Sequence, residues 1–382
     1  MKVSGVRTFV VQTPPPHKGG KHWIFLKLTT DTGIVGYGEA YPTPFASRTT
    51  ALLIEDFCQR FVMGADPFRI EWLWQHMYNS NYSQHPDLTQ LAAMTTIEVA
   101  CWDIVGKALG QPIYNLLGGR IRDKIRSYTY LYAAPDDTSG VHPFWDAKLA
   151  AERAAYYVDQ GFTAIKYDPL SITEFIPRQL SLADLDNAER VTESVRNAVG
   201  SRCDILFGTH GQMTTSSAIR LAKRLEKYDP LWFEEPVPPE NVNEMARVAR
   251  ATSIPIATGE RLSTKFEFAQ LLEKQAASIL QLEIGRVGGI LEAKKIAGMA
   301  EAYYAQLAPH IYCGPIASAA AIQLDVCTPN LLIQECIEKL DGFSAEILKE
   351  PLRWEDGYII PPTAPGLGVE LNEAVAEQHA AG

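Results

Sequence analysis

Along the 382-residue chain, short apolar runs end one after another in an ionisable side chain: Lys166, His210, Glu234 with Glu235, Glu260, Glu283, His310 and Glu335. His210, Glu235, Glu260 and His310 stand beside Gly or Pro. Arg-paired carboxylates at the barrel rim would account for Glu234, Glu260 or Glu283 taken singly, but not for the repetition across consecutive runs. Several carboxylates converging on one mouth repel each other unless a cation sits among them. Hard oxygen ligands favour Mg²⁺, which leaves positions open for substrate oxygens. No Cys/His cluster has the spacing of a zinc site. Glu283 and His310 end successive runs, so neighbouring strands would bring them within hydrogen-bonding range. A carboxylate behind an imidazole fixes its tautomer and supports its positive charge, which makes the pair a general acid/base.

The elements that must position these residues read as repeating units. Apolar runs at 125–132, 164–167, 204–207, 231–233, 254–257, 279–282, 306–308 and 331–333 alternate with amphipathic segments. From the third run onward they recur every ~25 residues, the length of one strand plus one helix. A (β/α) barrel places its chemistry at the C-terminal ends of its strands, which is where the ionisable residues fall. No Gly-x-Gly-x-x-Gly follows any run, against a nucleotide-binding sheet. The first part of the chain differs. Strand patterns at 6–13, 23–30 and 35–38, with a turn at 31–33, precede helical patterns at 49–62, 68–78 and 89–109. Strands followed by a block of helices form a separate α+β domain. The Pro-rich tail after 350 contains no further barrel unit. The expected division is 1–124, an N-terminal α+β domain; 125–350, the barrel; and 351–382, a segment returning to the N-terminal domain.

A formal net charge of −10 and a pI near 5.4 argue against nucleic-acid or anionic-membrane partners, since both need clustered Lys and Arg. The six cysteines are scattered without a Cys-x-x-Cys pair, as expected of reduced, buried thiols. No run resembles a signal peptide or reaches the ~20 apolar residues of a membrane span, so a cytoplasmic protein is expected.

At these residues the chain resembles the enolase superfamily in its mandelate racemase/muconate lactonizing enzyme branch, and most closely the galactonate-dehydratase-type sugar-acid dehydratases. The resemblance is carried by Ala100-Cys101-Trp102-Asp103-Ile104-Val105-Gly106-Lys107, Leu116-Leu117-Gly118-Gly119, Phe233-Glu234-Glu235-Pro236 and Ala257-Thr258-Gly259-Glu260-Arg261. Gly285-Arg286-Val287-Gly288-Gly289-Ile290, Pro309-His310 and Gln334-Glu335 continue it, in the family's order and nearly the whole length of the chain. It implies a (β/α)₇β TIM-like barrel with an α+β capping domain formed by the N-terminal region and the C-terminal tail. It further implies Mg²⁺-assisted removal of the proton beside a carboxylate, a chemistry known to use a Lys or His base in this superfamily. Glu234 and Glu260 match metal ligands, and His310 with Glu283 matches the base dyad. His210 matches the acid that expels a leaving hydroxyl. Lys166 and Glu335 match residues at the substrate. The family also implies homo-oligomers, and specificity set by capping loops, here 13–23 and 41–48, where His17, Lys18, Lys21 and His22 lie.

Three departures stand out. The third metal-ligand position falls on Gly208, leaving a water, His210 or the substrate to fill it. The dyad's usual Asp is the longer Glu283. The racemases' Lys-x-Lys reads Lys166-Tyr167-Asp168, which disfavours two-base racemisation and favours one-sided elimination. A sugar-acid dehydratase is therefore the leading expectation. The alternatives are a cycloisomerase that opens or closes an anhydro or lactone ring, and a metal-free barrel that only binds sugar acids.

Overall fold

The computed structural model describes residues 1–41, 46–80, 87–134, 142–170 and 176–381. The chain opens with an antiparallel meander of β1 (Val3–Gln12), β2 (His22–Thr30) and β3 (Val35–Ala40). Helices Ser47–Phe57 and Leu88–Leu109 pack on this sheet, and Ile70–Tyr78 packs on the long helix. The longest is capped at both ends. Asp87 accepts from the Gln90 amide at 2.8 Å, and Gly110 closes the last turn in the left-handed region at φ 64°. It lies so close to β3 that a Cβ on Gly36 or Gly38 would stand 2.2 Å and 1.9 Å from the carbonyl oxygens of Ala100 and Thr96. Only glycine permits that approach.

Eight parallel strands follow: β4 (Ile125–Tyr130), β5 (Ala164–Tyr167), β6 (Asp204–Gly208), β7 (Trp232–Glu234), β8 (Ile256–Thr258), β9 (Ile279–Leu280), β10 (Gln306–Leu307) and β11 (Gln334–Glu335). Each pairs with its neighbour in sequence from β4 to β10. The ring closes where β11 pairs with β4, and where Leu331 bridges to Leu307 with the Leu332 amide donating to the Leu307 carbonyl at 2.8 Å. Tyr128, Leu206, Trp232, Ile279 and Ile333 fill the interior between small residues such as Ala164 and Ala257, so the barrel is a packed core and not a pore. The outer faces of the strands pack on the helix ring through residues such as Phe207 and Phe233.

The eighth strand departs from expectation. The apolar run 331–333 carries only a bridge, and the paired strand is the polar Gln334–Glu335. The tail also departs in part. Its first portion forms a hairpin of β12 (Arg353–Glu355) and β13 (Tyr358–Ile360), and β13 pairs antiparallel with the barrel strand β4. Only afterwards does it reach the N-terminal unit. There the Leu367 amide donates to Asp103 at 2.9 Å, Glu373 pairs with Lys27, and the Ala381 amide donates to the Val10 carbonyl at 2.8 Å. All six cysteines are buried and free. Among the described residues no helix is long and apolar enough to cross a membrane.

Candidate active site

Side chains two apart on a strand share a face, and at the ends of β5, β7 and β9 this rule builds the mouth. Lys166 with Asp168, Trp232 with Glu234, and Gln281 with Glu283 come to the same end of the ring. The Lys166 ammonium is buried between two carboxylates, 3.0 Å from Glu234 Oε1 and 3.2 Å from Glu335 Oε1. Burial opposes its charge, yet the Glu234 and Glu335 carboxylates hold its pKa well above the ordinary lysine value. Glu234 Oε2 is fixed by Gln281 Nε2 at 2.6 Å and Trp232 Nε1 at 3.2 Å. Neighbouring Glu235 is turned away, accepting from Arg261 Nε at 2.7 Å.

On the opposite flank His310 Nδ1 lies 2.8 Å from Glu283 Oε2, and the Gly285 amide donates to the other oxygen of Glu283 at 2.9 Å. His310 Nε2 faces Glu260 Oε2 at 3.3 Å and Glu335 Oε2 at 4.0 Å. Burial works against a charge on this ring, but Glu260 and the Glu283 hydrogen bond outweigh it and raise its pKa to about 9. Burial likewise opposes charge on Glu260. The cationic groups around it, His310 foremost, nonetheless lower its pKa to about 2. His210 is partly exposed and stands apart from the dyad, its Nδ1 3.3 Å from Asp168 Oδ2. Gly208 pairs in register with Glu234, and the nearest atoms a Cβ there would meet are the Lys166 methylenes, at 3.4 Å and beyond. Any side chain at 208 would therefore point into the mouth.

The structure thus gathers Lys166, Glu234, Glu260, Glu283, His310 and Glu335 into one connected cluster, with His210 at its edge. It also shows partners that the sequence had not singled out: Asp168, Trp232, Gln281, and Arg286. Arg286 donates to the Glu260 carbonyl at 2.8 Å and stacks on Tyr41 with its guanidinium carbon 4.0 Å from the ring centre. The two-residue period marks the first three of these. Arg286 has no such spacing and is marked only by its place in the Gly285-Arg286-Val287-Gly288-Gly289-Ile290 stretch.

Of the capping loops, residues 42–45 lie outside the described residues. In the other loop Lys18 pairs with Glu338, and His17 Nδ1 lies 3.1 Å from Thr13 Oγ1. That loop and the segment after β11 enclose a cavity of about 220 Å³ lined by Pro14, Lys18, Trp23, Glu338 and Asp341 among others. A larger cleft of about 410 Å³ lies at the opposite end of the strands, around Thr252, Pro255 and Tyr303, and is lined by no acidic or basic side chain.

Among the described residues no group of three or more His, Cys, Asp or Glu side chains has metal-site spacing. Two hard carboxylates, Glu234 and Glu260, nevertheless stand at adjacent strand ends, Glu234 with one oxygen held by Gln281 and Trp232 and the other by Lys166, and Glu260 facing His310. Beside them Gly208 contributes no side chain to the donor set. Mg²⁺ commonly takes one or two protein carboxylates and keeps several waters, so this donor set fits it.

An eight-stranded ring with a polar mouth, topped by a meander-and-helix unit, defines the class, and the comparisons agree. The chain belongs to the enolase superfamily, in the mandelate racemase/muconate lactonizing enzyme branch. Residues 8–118 match the mandelate racemase/muconate lactonizing enzyme N-terminal domain, and residues 148–375 match the enolase C-terminal domain-like family. The chain is 36% identical to the D-galactonate dehydratase of Ralstonia pickettii, over 98% of this chain and 93% of that one. A candidate mandelate racemase/muconate lactonizing enzyme from Burkholderia SAR-1 superposes with a TM-score of 0.96 at 55% identity, covering 100% of this chain and 94% of its own. A mandelate racemase/muconate lactonizing enzyme-like protein from Roseovarius sp. TM1035 gives 0.95 at 47%, covering 100% and 96%. With dehydratases as full-length relatives, the protein is an enzyme of the lyase class.

Proposed function

We propose that the chain is a Mg²⁺-dependent sugar-acid dehydratase that removes the proton α to the carboxylate and expels the β-hydroxyl as water. The observation carrying this is His310, held by Glu283 on one nitrogen and presenting the other to the mouth. His310 takes the α-proton, and the C–H electron pair passes into an enediolate. The β-carbon–oxygen bond then breaks, His210 gives a proton to the departing hydroxyl, and the enol product tautomerises to a 2-keto-3-deoxy acid. Glu234 and Glu260 are the residues that would hold Mg²⁺, and the ion would supply stabilisation of the negative charge that develops on the substrate carboxylate. Lys166, kept cationic by its two carboxylates, binds the substrate carboxylate, with Glu335 beside it at a hydroxyl. His210 follows the third barrel strand and His310 the seventh, four apart in a ring of eight, so acid and base approach from opposite sides. That arrangement favours anti elimination. Residues 1–124 with the end of the tail act as the cap, and 125–350 as the catalytic barrel.

Incubating the protein with Mg²⁺ and a panel of aldonic and anhydro-aldonic acids, and following 2-keto acid formation, tests this reading. Dehydration lowers the product mass by one water, whereas cycloisomerisation of an anhydro ring leaves the mass unchanged. Product of unchanged mass alone, or no product across the panel, would overturn the dehydratase assignment.

A further inference from the structure

Asp168 is fully buried just past the end of β5, where no lysine or arginine pairs with its carboxylate among the described residues. Its Oδ1 accepts from the Leu170 amide at 2.9 Å, and its Oδ2 accepts from Gln212 Nε2 at 3.0 Å. The remaining neighbour of Oδ2 is His210 Nδ1, at 3.3 Å. A buried carboxylate without a fixed cation is costly unless its hydrogen bonds are well satisfied. Here the backbone and an amide fix the direction of the carboxylate independently of the imidazole. Gln212 is itself anchored, donating also to the Thr209 carbonyl at 3.0 Å.

The segment carrying His210 is pinned with equal care. Thr209 Oγ1 donates to the Glu234 carbonyl at 2.6 Å, and the Gly211 amide donates to the Glu235 carbonyl at 2.8 Å. Between them His210 holds φ 51°, a left-handed conformation that a non-glycine residue keeps only when its surroundings enforce it. A backbone held this way, opposite a carboxylate held this way, selects one orientation and one tautomer of the ring.

We propose that Asp168 is the positioning residue of His210: it accepts the Nδ1 hydrogen and so leaves Nε2 as the one ring nitrogen that gives a proton to the departing group. The mouth then contains two carboxylate–imidazole dyads on opposite flanks, Glu283–His310 and Asp168–His210. The Asp168 hydrogen bond also helps raise the pKa of His210 to about 9, although burial, the largest single influence, pulls it down. This inference rests on the dehydratase reading for its catalytic meaning but not for its structural core, and the test separates the two.

Nitrogen NMR of histidine-labelled protein at a pH above about 9, where the His210 ring is neutral, with His210→Asn to assign the signal, reads its tautomer without any substrate. The wild type is expected to show the Nδ1–H form, and Asp168→Asn the Nε2–H form that free imidazole prefers. A wild-type Nε2–H ring, or an unchanged tautomer in Asp168→Asn, overturns the proposal, and the wild-type spectrum decides alone if the variant does not fold. With a converted sugar acid in hand, Asp168→Asn is expected to lose ~10²–10⁴-fold in kcat with little change in KM and with α-proton exchange retained. Asp168→Glu, which keeps the charge, should recover part of the loss. A loss of exchange equal to the loss of turnover would make Asp168 merely structural. Failure of every sugar acid to react would sink the dehydratase reading and leave the tautomer result standing.

Discussion

Gly208→Asp tests how the mouth would hold its metal. A Cβ at this position meets nothing nearer than the Lys166 methylenes at 3.4 Å, an ordinary contact, and its backbone lies outside the left-handed region. The substitution therefore fits without strain, and its carboxylate points toward Lys166 and Glu234. At an effective dielectric of ~20, a unit charge 4 Å from another is worth about 4 kcal/mol, and more against a dication. The new carboxylate also feels the like charges of Glu234 and Glu260, and it displaces water from the ion. The surplus expected is ~1.4–2.8 kcal/mol, or about 10- to 100-fold tighter Mg²⁺ binding. Titration calorimetry on both proteins measures it directly. Turnover need not improve, because the added group competes for Lys166 and for the space of a substrate oxygen. Unchanged or weaker affinity would refute the placement of position 208 at the metal.

Gln281→Ala removes the 2.6 Å donor that orients Glu234, and should weaken Mg²⁺ binding ~10–100-fold by calorimetry without unfolding the barrel. Glu39, buried in the cap, accepts from the Gly314 and Ala317 amides, and burial raises its pKa to about 8. Between about 4.5 and 8 the folded protein keeps a proton that the unfolded chain releases, so this residue makes stability fall as pH rises through that window, by on the order of a few kcal/mol. Denaturant titrations at both ends of the window should show a shallower slope for Glu39→Gln, and identical slopes would exclude the effect. Phe207 is fully buried with its ring edge-on to Tyr167 at 5.6 Å, so Phe207→Ala should cost ~3–5 kcal/mol in urea unfolding.

The barrel was legible in the sequence because strands buried on both faces read as short apolar runs. That same rule misplaced the eighth strand. Its paired residues are Gln334 and Glu335, whose side chains belong to the polar mouth, so the apolar run stops before the pairing begins. Residues such as Glu260, Glu283 and His310 were visible through their place after each run. Asp168 was visible only as a lysine lost, although its two-residue spacing from Lys166 placed it on the same face. The hold of Glu39 on Gly314 spans 275 positions in the chain, and no local pattern encodes a contact of that range. The β12–β13 hairpin was hidden for a similar reason: its partner β4 lies far upstream.

Proton NMR of the substrate in D₂O with Mg²⁺ decides which group removes the α-proton. His310→Asn should abolish both exchange of that proton for deuterium and formation of the keto acid. His210→Asn should keep measurable exchange while losing elimination by ~10²–10⁴-fold, because the leaving-group acid acts after the enediolate forms. Lys166 is the competing base, yet its ammonium is clamped at 3.0 Å and 3.2 Å by Glu234 and Glu335, which hold it charged. Exchange that survives in His310→Asn and disappears in Lys166→Ala would contradict the account and transfer the role to Lys166.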